Sequence, residues 1–597
     1  MAAYQTFPIF LPNKGPVVNK PEELLSEQFS PYSRNMTFYN ELCQGRYGLA
    51  KFNQTALNGE VLTIAKFTNL AGTHFLLFAT PYDIYSYDFG NARFDILTPI
   101  YSVGTIEVKA GELNRVYGSG TPNWSTNLKA GDWIKIGSGA IHTGSTWYKI
   151  ASVDSNTLLT LTSNAVITAA GTAYVARKTF AGTSTSYWDW VQFEDDVLSS
   201  VLLMTNGTPG GFVYWTGTGQ VVSVTGTPVG WTACKYLSVF GGRAIMGYTV
   251  EGGADQKART RWSDVANCLS WPDINFVDFA DEPTAISGMT KFNGYHVIFK
   301  EEEAYVGRFV GGDTVFDWQL SAQAFGARSP YSVVTRNDYI YYYGHDKKFH
   351  RFNLLQDDVI SEPLFPETKE FDPNFDAFIQ GFNVTRLNQV RWFCPYLSST
   401  RFNYVLVWDY QQNIPQVWEY AQADACCSMG TFFRTSDVYA DDAIYGNQYA
   451  DETSGFADDS TFTDGAELVV YGGFDGIVRQ ADAGTIDDGV DYTRQLMFKK
   501  LNLGLFDSFK RLWRQQWWLQ SEVSGSVLVR IKLDDKTSYE AISSTVSLEN
   551  SGKAFIKSNI TLDVTAQNFQ PDISSTNHFA LLGVMNYFFP KRSTIRK

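Results

Sequence analysis

The sequence has 597 residues, of which 44% are hydrophobic and 15% aromatic, so the chain can bury a sizeable core and is not predominantly disordered. The formal net charge of −14 disfavours a protein that holds duplex nucleic acid through phosphate contacts. Six cysteines, none in a Cys-x-x-Cys pair, exclude a disulfide scaffold and favour reduced thiols in a protein made in the cytoplasm.

The N-terminal segment, residues 1–47, has no features of a targeting sequence. It begins "MAAYQTFPIF", without a basic region followed by an apolar run. The longest apolar bursts of the chain, such as "FLLFA", are far shorter than the roughly 20 residues that cross a bilayer. We therefore expect neither a secretory signal nor a membrane span.

Hairpin-like pairs of β-rich runs recur after residue 48. "HFLLFATPYDIYSYDF" is followed by "VLLMTNGTPGGFVYW", "YHVIFKEEEAYVGRF", "DYIYYYGHDKKFHRF" and "YVLVWDYQQNIPQVWEY", each with a short polar turn. A loose period of roughly 40–50 residues with about four strands per copy is typical of propeller blades. The sequence predicts an all-β fold with a β-propeller of about seven blades over residues 48–103 and 179–489. Strands from both ends of the repeat region are expected to share one blade.

The period is interrupted by residues 104–178. Short alternating runs, "DWIKIG", "WYKIASV" and "TLLTLT", are separated there by turn formers. The length suits a small independent β-barrel or sandwich domain inserted into a propeller loop.

A dense corner follows at "RTRWSDVANCLSWPD", residues 259–273. An Asp in a turn can accept backbone N–H groups, so Asp264 is expected to fold the corner. Trp271 is expected to pack between neighbouring blades, and Pro272 to stop the strand ladder. A ligand-binding role is the alternative. The candidate blade-corner residues are Arg259, Arg261, Ser263, Asp264, Asn267 and Trp271.

Motifs for catalysis are missing from the sequence. It has no zincin His pair, no Gly-x-Ser-x-Gly elbow and no P-loop. His345 and His350 flank "DKKF" in what is predicted to be a solvated hairpin turn. We therefore expect a protein that is not an enzyme and uses no cofactor or metal.

An acidic stretch spans residues 437–464 and contains no Lys or Arg. A solvated loop is one interpretation; a Ca²⁺ site or a carboxylate pair for glycoside hydrolysis are the others. Its carboxylates are Asp437, Asp441, Asp442, Asp451, Glu452, Asp458, Asp459 and Asp464.

The last segment, residues 490–597, is predicted to be a C-terminal β-sandwich or platform. "KRLWRQQWWLQ" has helix formers, but its alternation and β-rich surroundings favour a strand. Strict alternation places Trp513, Trp517 and Leu519 on one face, and Leu512 and Trp518 on the other. Large aromatic residues anchor interfaces well, so Trp513, Trp517 and Trp518 are candidate interface residues.

Several of these motifs together resemble the propeller-bearing tail hub or nozzle proteins of short-tailed bacteriophages. The family pattern is an Arg-x-x-x-Ser-Asp-x-x-Asn…Trp corner, then a Phe-Lys-Glu strand end at residues 299–301. A Gly-x-x-Ser-Pro-x-Ser corner follows at residues 326–332. Cys268 stands where the family often has Pro. The resemblance covers roughly residues 48–488, and residues 104–178 are similar to small β-domains spliced into phage structural proteins.

This resemblance implies a structural role in the virion tail, for a chain assembled in the host cytoplasm. It implies a homohexamer docked on the tail adaptor below the portal, next to tail fibres or a needle. Viral DNA would pass through its channel without specific binding, and the acidic stretch is a candidate lumen wall or rim. The alternatives are a tail-tip component and a receptor- or glycan-binding propeller.

Overall fold

The computed structural model describes residues 4–590 except 40–41, 280–283, 313, 322–324, 337, 423, 434–466, 506–507, 535, 537–542 and 550–553. Strands dominate its regular structure, and the predicted all-β propeller is confirmed. No helix in the described part of the chain is both long enough and apolar enough to cross a membrane.

The chain divides into two compact units, each built from separate stretches of sequence. Unit A comprises Met1–Lys51, Ala322–Cys426 and Arg479–Lys597, and unit B comprises Phe52–Ser321 and Cys427–Val478.

Blades 1 to 4 lie in unit B, and each is a four-stranded antiparallel meander. Blade 1 comprises Thr63–Thr68, His74–Ala79, Ile84–Asp88 and Arg93–Ile96. Blade 2 comprises Asp189–Asp195, Ser199–Thr205, Val213–Trp215 and Val222–Ser223. Blade 3 comprises Trp231–Phe240, Arg243–Glu251, Ala254–Trp262 and Phe276–Asp278. Blade 4 comprises Ile286–Phe292, Tyr295–Lys300, Ala304–Phe309 and Phe316–Leu320.

Blades 5 and 6 lie in unit A and have the same meander order. Blade 5 comprises Val334–Thr335, Ile340–Tyr343, Phe349–Phe352 and Asp357–Val359. Blade 6 comprises Gln380–Val384, Gln389–Cys394, Tyr404–Asp409 and Ile414–Trp418.

Blade 7 takes strands from both ends of the repeat region. Its order is Ser428–Phe433, Glu467–Gly472, Val478–Ala481 and Leu49–Lys51. The last two pair antiparallel, with Arg479 opposite Lys51 and Ala481 opposite Leu49. Seven four-stranded sheets are thus present among the described residues, as the hairpin repeat predicts.

Middle and edge strands of a blade differ in burial because their faces have different neighbours. Tyr404–Asp409 is buried along its whole length, which explains its unbroken apolar run. Arg93–Ile96, an edge strand, alternates between half-buried and buried residues. Apolar clusters join successive blades inside each unit; Phe67 and Leu202, for example, belong to one core shared by blades 1 and 2.

The inserted domain has a core of its own. Val116, Trp124, Ile134 and Leu159 are fully buried within it. One short helix, Trp124–Asn127, accompanies an eight-stranded sheet. The strands are Ile100–Tyr101, Thr105–Val108, Arg115–Ser119, Trp133–Ile136, Tyr148–Ser155, Leu158–Leu161, Ala169–Thr172 and Tyr174–Arg177.

The C-terminal sandwich in unit A has two sheets around one apolar core. Four of its strands come from residues before 48, a pairing that the sequence did not indicate. One sheet comprises Gln5–Ile9, Met36–Tyr39, Leu42–Gly45, Lys510–Gln520, Phe555–Ala566 and Ala580–Pro590. The other comprises Tyr32–Arg34, Arg494–Met497, Ser526–Leu533, Ser543–Ser547 and Phe569–Ser575.

The remaining helical segments are single turns. They are Glu22–Leu24, Pro330–Ser332, Glu362–Leu364, Phe365–Thr368, Asp376–Phe378 and Thr385–Leu387.

The predicted strand over "KRLWRQQWWLQ" is present as Lys510–Gln520, but its strict alternation is wrong. The register shifts between Leu512 and Arg514, where a β-bulge inserts an extra residue. The bulge lets Leu512 join Trp517 in the sandwich core, although the two are an odd number of residues apart.

Candidate functional site

The corner loop between the last two strands of blade 3 is anchored by Ser263. Its hydroxyl accepts the backbone N–H of Ala244 at 3.0 Å and donates to the carbonyl of Asp264 at 2.8 Å. The Ser263 backbone N–H also donates to the carbonyl of Ala244 at 2.9 Å. Two bonds to one strand residue fix the start of the loop on the second strand of blade 3.

The loop is closed by a pair of bonds between Asp264 and Ser270. The Asp264 carboxylate accepts the Ser270 hydroxyl at 2.6 Å, and the Asp264 N–H donates to the Ser270 carbonyl at 2.8 Å. Sequence reasoning expected that carboxylate to accept backbone N–H groups instead. Asn267 makes the turn bond of that kind, since its side-chain oxygen accepts the N–H of Leu269 at 2.9 Å.

Trp271 lies between blades 2 and 3 and is 3% exposed. Its ring packs edge-on against Phe212, with the centroids 5.9 Å apart. Its indole N–H donates to the carbonyl of Cys268 at 2.8 Å, so the polar end of the ring is satisfied. The side chain therefore joins two blades without leaving a buried donor unpaired.

Two arginines brace the strand before the loop. Arg259 makes a bidentate pair with Asp278, at 2.8 Å for both bonds. Glu251 accepts from Arg259 at 2.8 Å and from Arg261 at 2.7 and 2.8 Å. Burial raises the pKa of Glu251, but the bonds from Arg261, Thr249 and Arg259 outweigh it and lower that pKa to about 2. The carboxylate is ionised at neutral pH. Glu251, Arg259 and Asp278 thus form a chain of ion pairs across the last three strands of blade 3.

Sequence reasoning missed Asp195, which fixes the corner from blade 2. One carboxylate oxygen accepts the backbone N–H of Cys268 at 2.8 Å. The other accepts the N–H groups of Val197 and Leu198, both at 2.9 Å. Burial opposes ionisation, but these backbone donors lower the pKa of Asp195. Its place at a strand end in "FEDDVL" was the available signal for the local turn; nothing in the sequence pointed to Cys268.

The six predicted corner residues thus fall on one joint in unit B. Their polar groups bond to other groups of this chain. Such an arrangement holds two sheets together.

His350 differs from the solvated position predicted for it. His345 is exposed, but His350 is fully buried in blade 5 between two carboxylates. Its Nδ1 lies 3.2 Å from Asp357 and its Nε2 lies 2.9 Å from Asp346. Burial alone would lower the pKa of His350, but the two carboxylates raise it to about 9. The prediction failed because Asp357, on the next strand, bonds to Nδ1 of the ring, and this contact between strands leaves no signal in the turn sequence.

The three candidate interface tryptophans have different surroundings. Trp517 is fully buried in the sandwich core. The prediction that it is an interface residue is therefore wrong, because an interface anchor must be exposed. Trp513 and Trp518 are half-buried. Trp513 packs near Tyr4 with centroids 6.1 Å apart, and the ammonium of Lys557 lies 5.6 Å from the Trp518 ring.

The acidic stretch predicted to line a lumen or rim lies outside the described residues. This applies to all eight carboxylates, Asp437, Asp441, Asp442, Asp451, Glu452, Asp458, Asp459 and Asp464. Across the positions that the structure describes, no group of three or more His, Cys, Asp or Glu side chains is placed to hold a metal ion.

One open cleft in unit B has a different character, and we call it the insert cleft. It has a volume of about 620 Å³ and lies between the inserted domain and the loops of blades 1 and 2. Its side chains include two lysines, one tyrosine and several hydroxyls, and no carboxylate. They include Tyr82, Lys129, Lys149, Thr183, Ser186 and Thr208.

Comparison with known proteins gives likenesses of fold. No known protein family and no curated protein matches this chain in sequence. Among solved structures, it is similar to the WD40 domain of Pan2 from Neurospora crassa, with 8% identity over 73% of this chain and 94% of that one, at a TM-score of 0.32. It is also similar to an exo-β-1,3-galactanase from Phanerochaete chrysosporium, with 12% identity over 89% of this chain and 99% of that one, at a TM-score of 0.21. Likenesses this distant carry no functional argument.

Proposed function

We propose that this protein is a structural component of a bacteriophage virion tail, a hub or nozzle that forms a ring and conducts DNA during ejection. The observation that carries the proposal is the joint at the corner motif. The residues that resemble the family pattern form hydrogen bonds within the corner and to neighbouring strands. Such bonds stabilise the connection between two blades, as a structural component requires. No catalytic residue is assigned.

The proposed partners follow from the same role. Identical copies form a closed homohexamer, which needs two different complementary surfaces on each chain. Trp513 and Trp518 remain candidate contacts for a neighbouring copy. The ring docks on the tail adaptor below the portal and meets tail fibres or a needle, within a virion tail assembled in the host cytoplasm.

Charge supports a conduit over a DNA-binding protein. The chain has a formal net charge of −14, and an acidic wall repels phosphates and gives no counterion release. DNA inside such a channel is free to slide. The eight carboxylates between residues 437 and 464 are the proposed wall or rim.

A second candidate is a receptor- or glycan-binding propeller at a tail tip. The insert cleft favours it, because a concave site with an exposed aromatic ring and several hydroxyls suits a small polar ligand. An enzymatic propeller would need an acid–base pair in such a site, and no lining residue of this cleft has a carboxylate.

Native mass spectrometry of the purified chain, with duplex DNA added in a parallel sample, tests the proposed function. We expect a hexamer and no stable DNA complex at about 0.15 M salt. A monomer at every concentration, or tight salt-sensitive binding of duplex DNA, would overturn the conduit role.

A further inference from the structure

The insert cleft is formed by two parts of unit B that face each other. The inserted domain provides a turn at residues 129–131 and Lys149, and blades 1 and 2 provide Tyr82 and the loops around residues 179–186 and 208–209. At Gly131, no heavy atom lies within 4 Å of where a side chain would begin, so the turn borders open space. A volume of about 620 Å³ lies within the range of small-ligand sites.

The cleft is basic, although the whole chain is acidic. Lys129 and Lys149 are exposed, and neither ammonium has an ion-pair or hydrogen-bond partner among the residues that the structure describes. The nearby carboxylate of Asp132 is buried and engaged elsewhere. It accepts the N–H of Thr179 at 2.8 Å and the Thr179 hydroxyl at 2.9 Å, and its second oxygen accepts the backbone N–H of Lys129 at 2.8 Å. The charge of Lys129 interacts with this buried carboxylate, and the ammonium of Lys149 lies 5.9 Å from the centre of the Trp133 ring. Two exposed positive charges therefore border the space.

An aromatic ring borders the same cleft. Tyr82 is 38% exposed, so part of its ring is available to a ligand. The buried side of the ring packs near Gly59, where an added Cβ would lie 3.2 Å from a ring carbon. A supported aromatic ring suits the C–H face of a sugar, which is apolar although the rim of the sugar is polar.

Hydroxyl groups complete the lining. The Thr208 hydroxyl donates to the Ala181 carbonyl at 2.6 Å and so keeps lone pairs that can accept from a ligand. Thr183 and Ser186 place their hydroxyl oxygens 3.2 Å apart on the neighbouring loop. Such groups suit a polyhydroxylated ligand, because they both donate and accept.

We infer that the insert cleft binds an acidic saccharide, with its carboxylate on Lys129 and Lys149 and one sugar face on Tyr82. A nucleic acid fits less well, because a strand would need a basic track extending beyond two lysines on a chain of net charge −14. This binding site goes beyond the conduit role and does not depend on it, so either proposal can fail alone.

The test uses the full chain and a panel of acidic oligosaccharides containing glucuronate, galacturonate or sialate. Each is paired with its carboxyl methyl ester, which keeps the sugar and removes the charge. We expect at least one acid to bind about tenfold more tightly than its ester in isothermal titration calorimetry. If no acid binds, or if acid and ester bind alike, the inference is wrong.

Substitutions then locate the binding site. The double variant Lys129→Gln/Lys149→Gln should weaken binding of the acid by about tenfold or more, and Tyr82→Ala should weaken both acid and ester. The matched control Lys66→Gln/Lys257→Gln removes two exposed lysines of unit B outside the cleft and should leave the affinity within about twofold.

Three further results would overturn the inference. One is equal loss in the control and cleft variants, which would indicate bulk charge alone. Another is unchanged affinity in the cleft variant while its thermal unfolding matches that of the parent chain. The last is a single-stranded oligonucleotide that competes at these lysines and binds more tightly than every saccharide.

Discussion

The carboxylate of Asp195 in blade 2 accepts the backbone N–H of Cys268 in the corner loop of blade 3, at 2.8 Å and across 73 residues of sequence. The same carboxylate holds its own turn through Val197 and Leu198. One side chain thus sets both the shape of a blade-2 turn and its attachment to the next blade. Corner and turn are therefore expected to lose stability together.

Replacing Asp195 should test this coupling. Asp195→Ala leaves a buried N–H at Cys268 unpaired, and we expect a loss of about 2 kcal/mol in the free energy of unfolding, measured in urea by tryptophan fluorescence. Asp196→Ala is the matched control, since Asp196 is exposed, and it should change stability by less than about 0.5 kcal/mol. Equal effects of the two substitutions would contradict the role of Asp195.

Gly226 should be intolerant of any side chain for two separable reasons. Its φ is +68°, and an added Cβ would lie 1.9 Å from the carbonyl oxygen of Leu269 in the corner loop. Gly219, in the turn before the last strand of blade 2, has φ of +65° and open space at the Cβ position. Gly219→Ala should cost about 1 kcal/mol from backbone strain, and Gly226→Ala clearly more. Similar thermal midpoints for the two variants would show that the corner loop moves away freely.

Glu251 should contribute to stability over most of the acidic range. Its pKa is lowered to about 2, so its contribution is fully present above about 4.5 and is lost as the pH falls through 2. Glu251→Gln should cost about 3 kcal/mol at pH 7, because Arg261 is left buried with a weaker partner. The gap between parent and variant should close towards pH 2, as measured by chemical unfolding. Glu107→Gln, at an exposed position, is the control.

The stabilising contribution of His350 to blade 5 should be lost in alkaline solution. Its pKa is raised to about 9, so the stabilisation is fully present below about 6.5 and is lost as the pH rises through 9. The free energy of unfolding of the parent chain should fall by on the order of 3 kcal/mol over this range, and the His350→Gln variant should not show this fall. His345→Gln, at an exposed position, should keep the parent's dependence. A pH-independent parent between 6.5 and 9 would show that His350 is neutral between its two aspartates.

The blades were predictable because the middle strands of their sheets are apolar on both faces. Runs such as that of Tyr404–Asp409 stand out against the polar turns around them. Leu49–Lys51, the closing strand of blade 7, is only three residues long and has no such pattern. Likewise, Gln5–Ile9 pairs with the strand ending at Pro590, and pairing over that separation leaves no local signal.

The corner was predictable as a joint but not in its bonds. The aromatic bulk of Trp271 indicated burial, since a large ring in a turn needs a neighbouring sheet. Hydrogen bonding depends on positions that the whole fold sets, and these cannot be read from the local sequence. Asp264 accepts the hydroxyl of Ser270, and the backbone N–H of Cys268 donates to Asp195. The insert cleft was not predicted at all, because Tyr82, Lys149 and Thr208 lie in three separate stretches of the chain.

Electron cryomicroscopy of the purified full-length chain tests the conduit proposal most directly. The predicted result is a closed ring of identical copies around a continuous channel that admits duplex DNA. Solitary particles at every concentration, in a sample that hydrolyses a glycan, would contradict it.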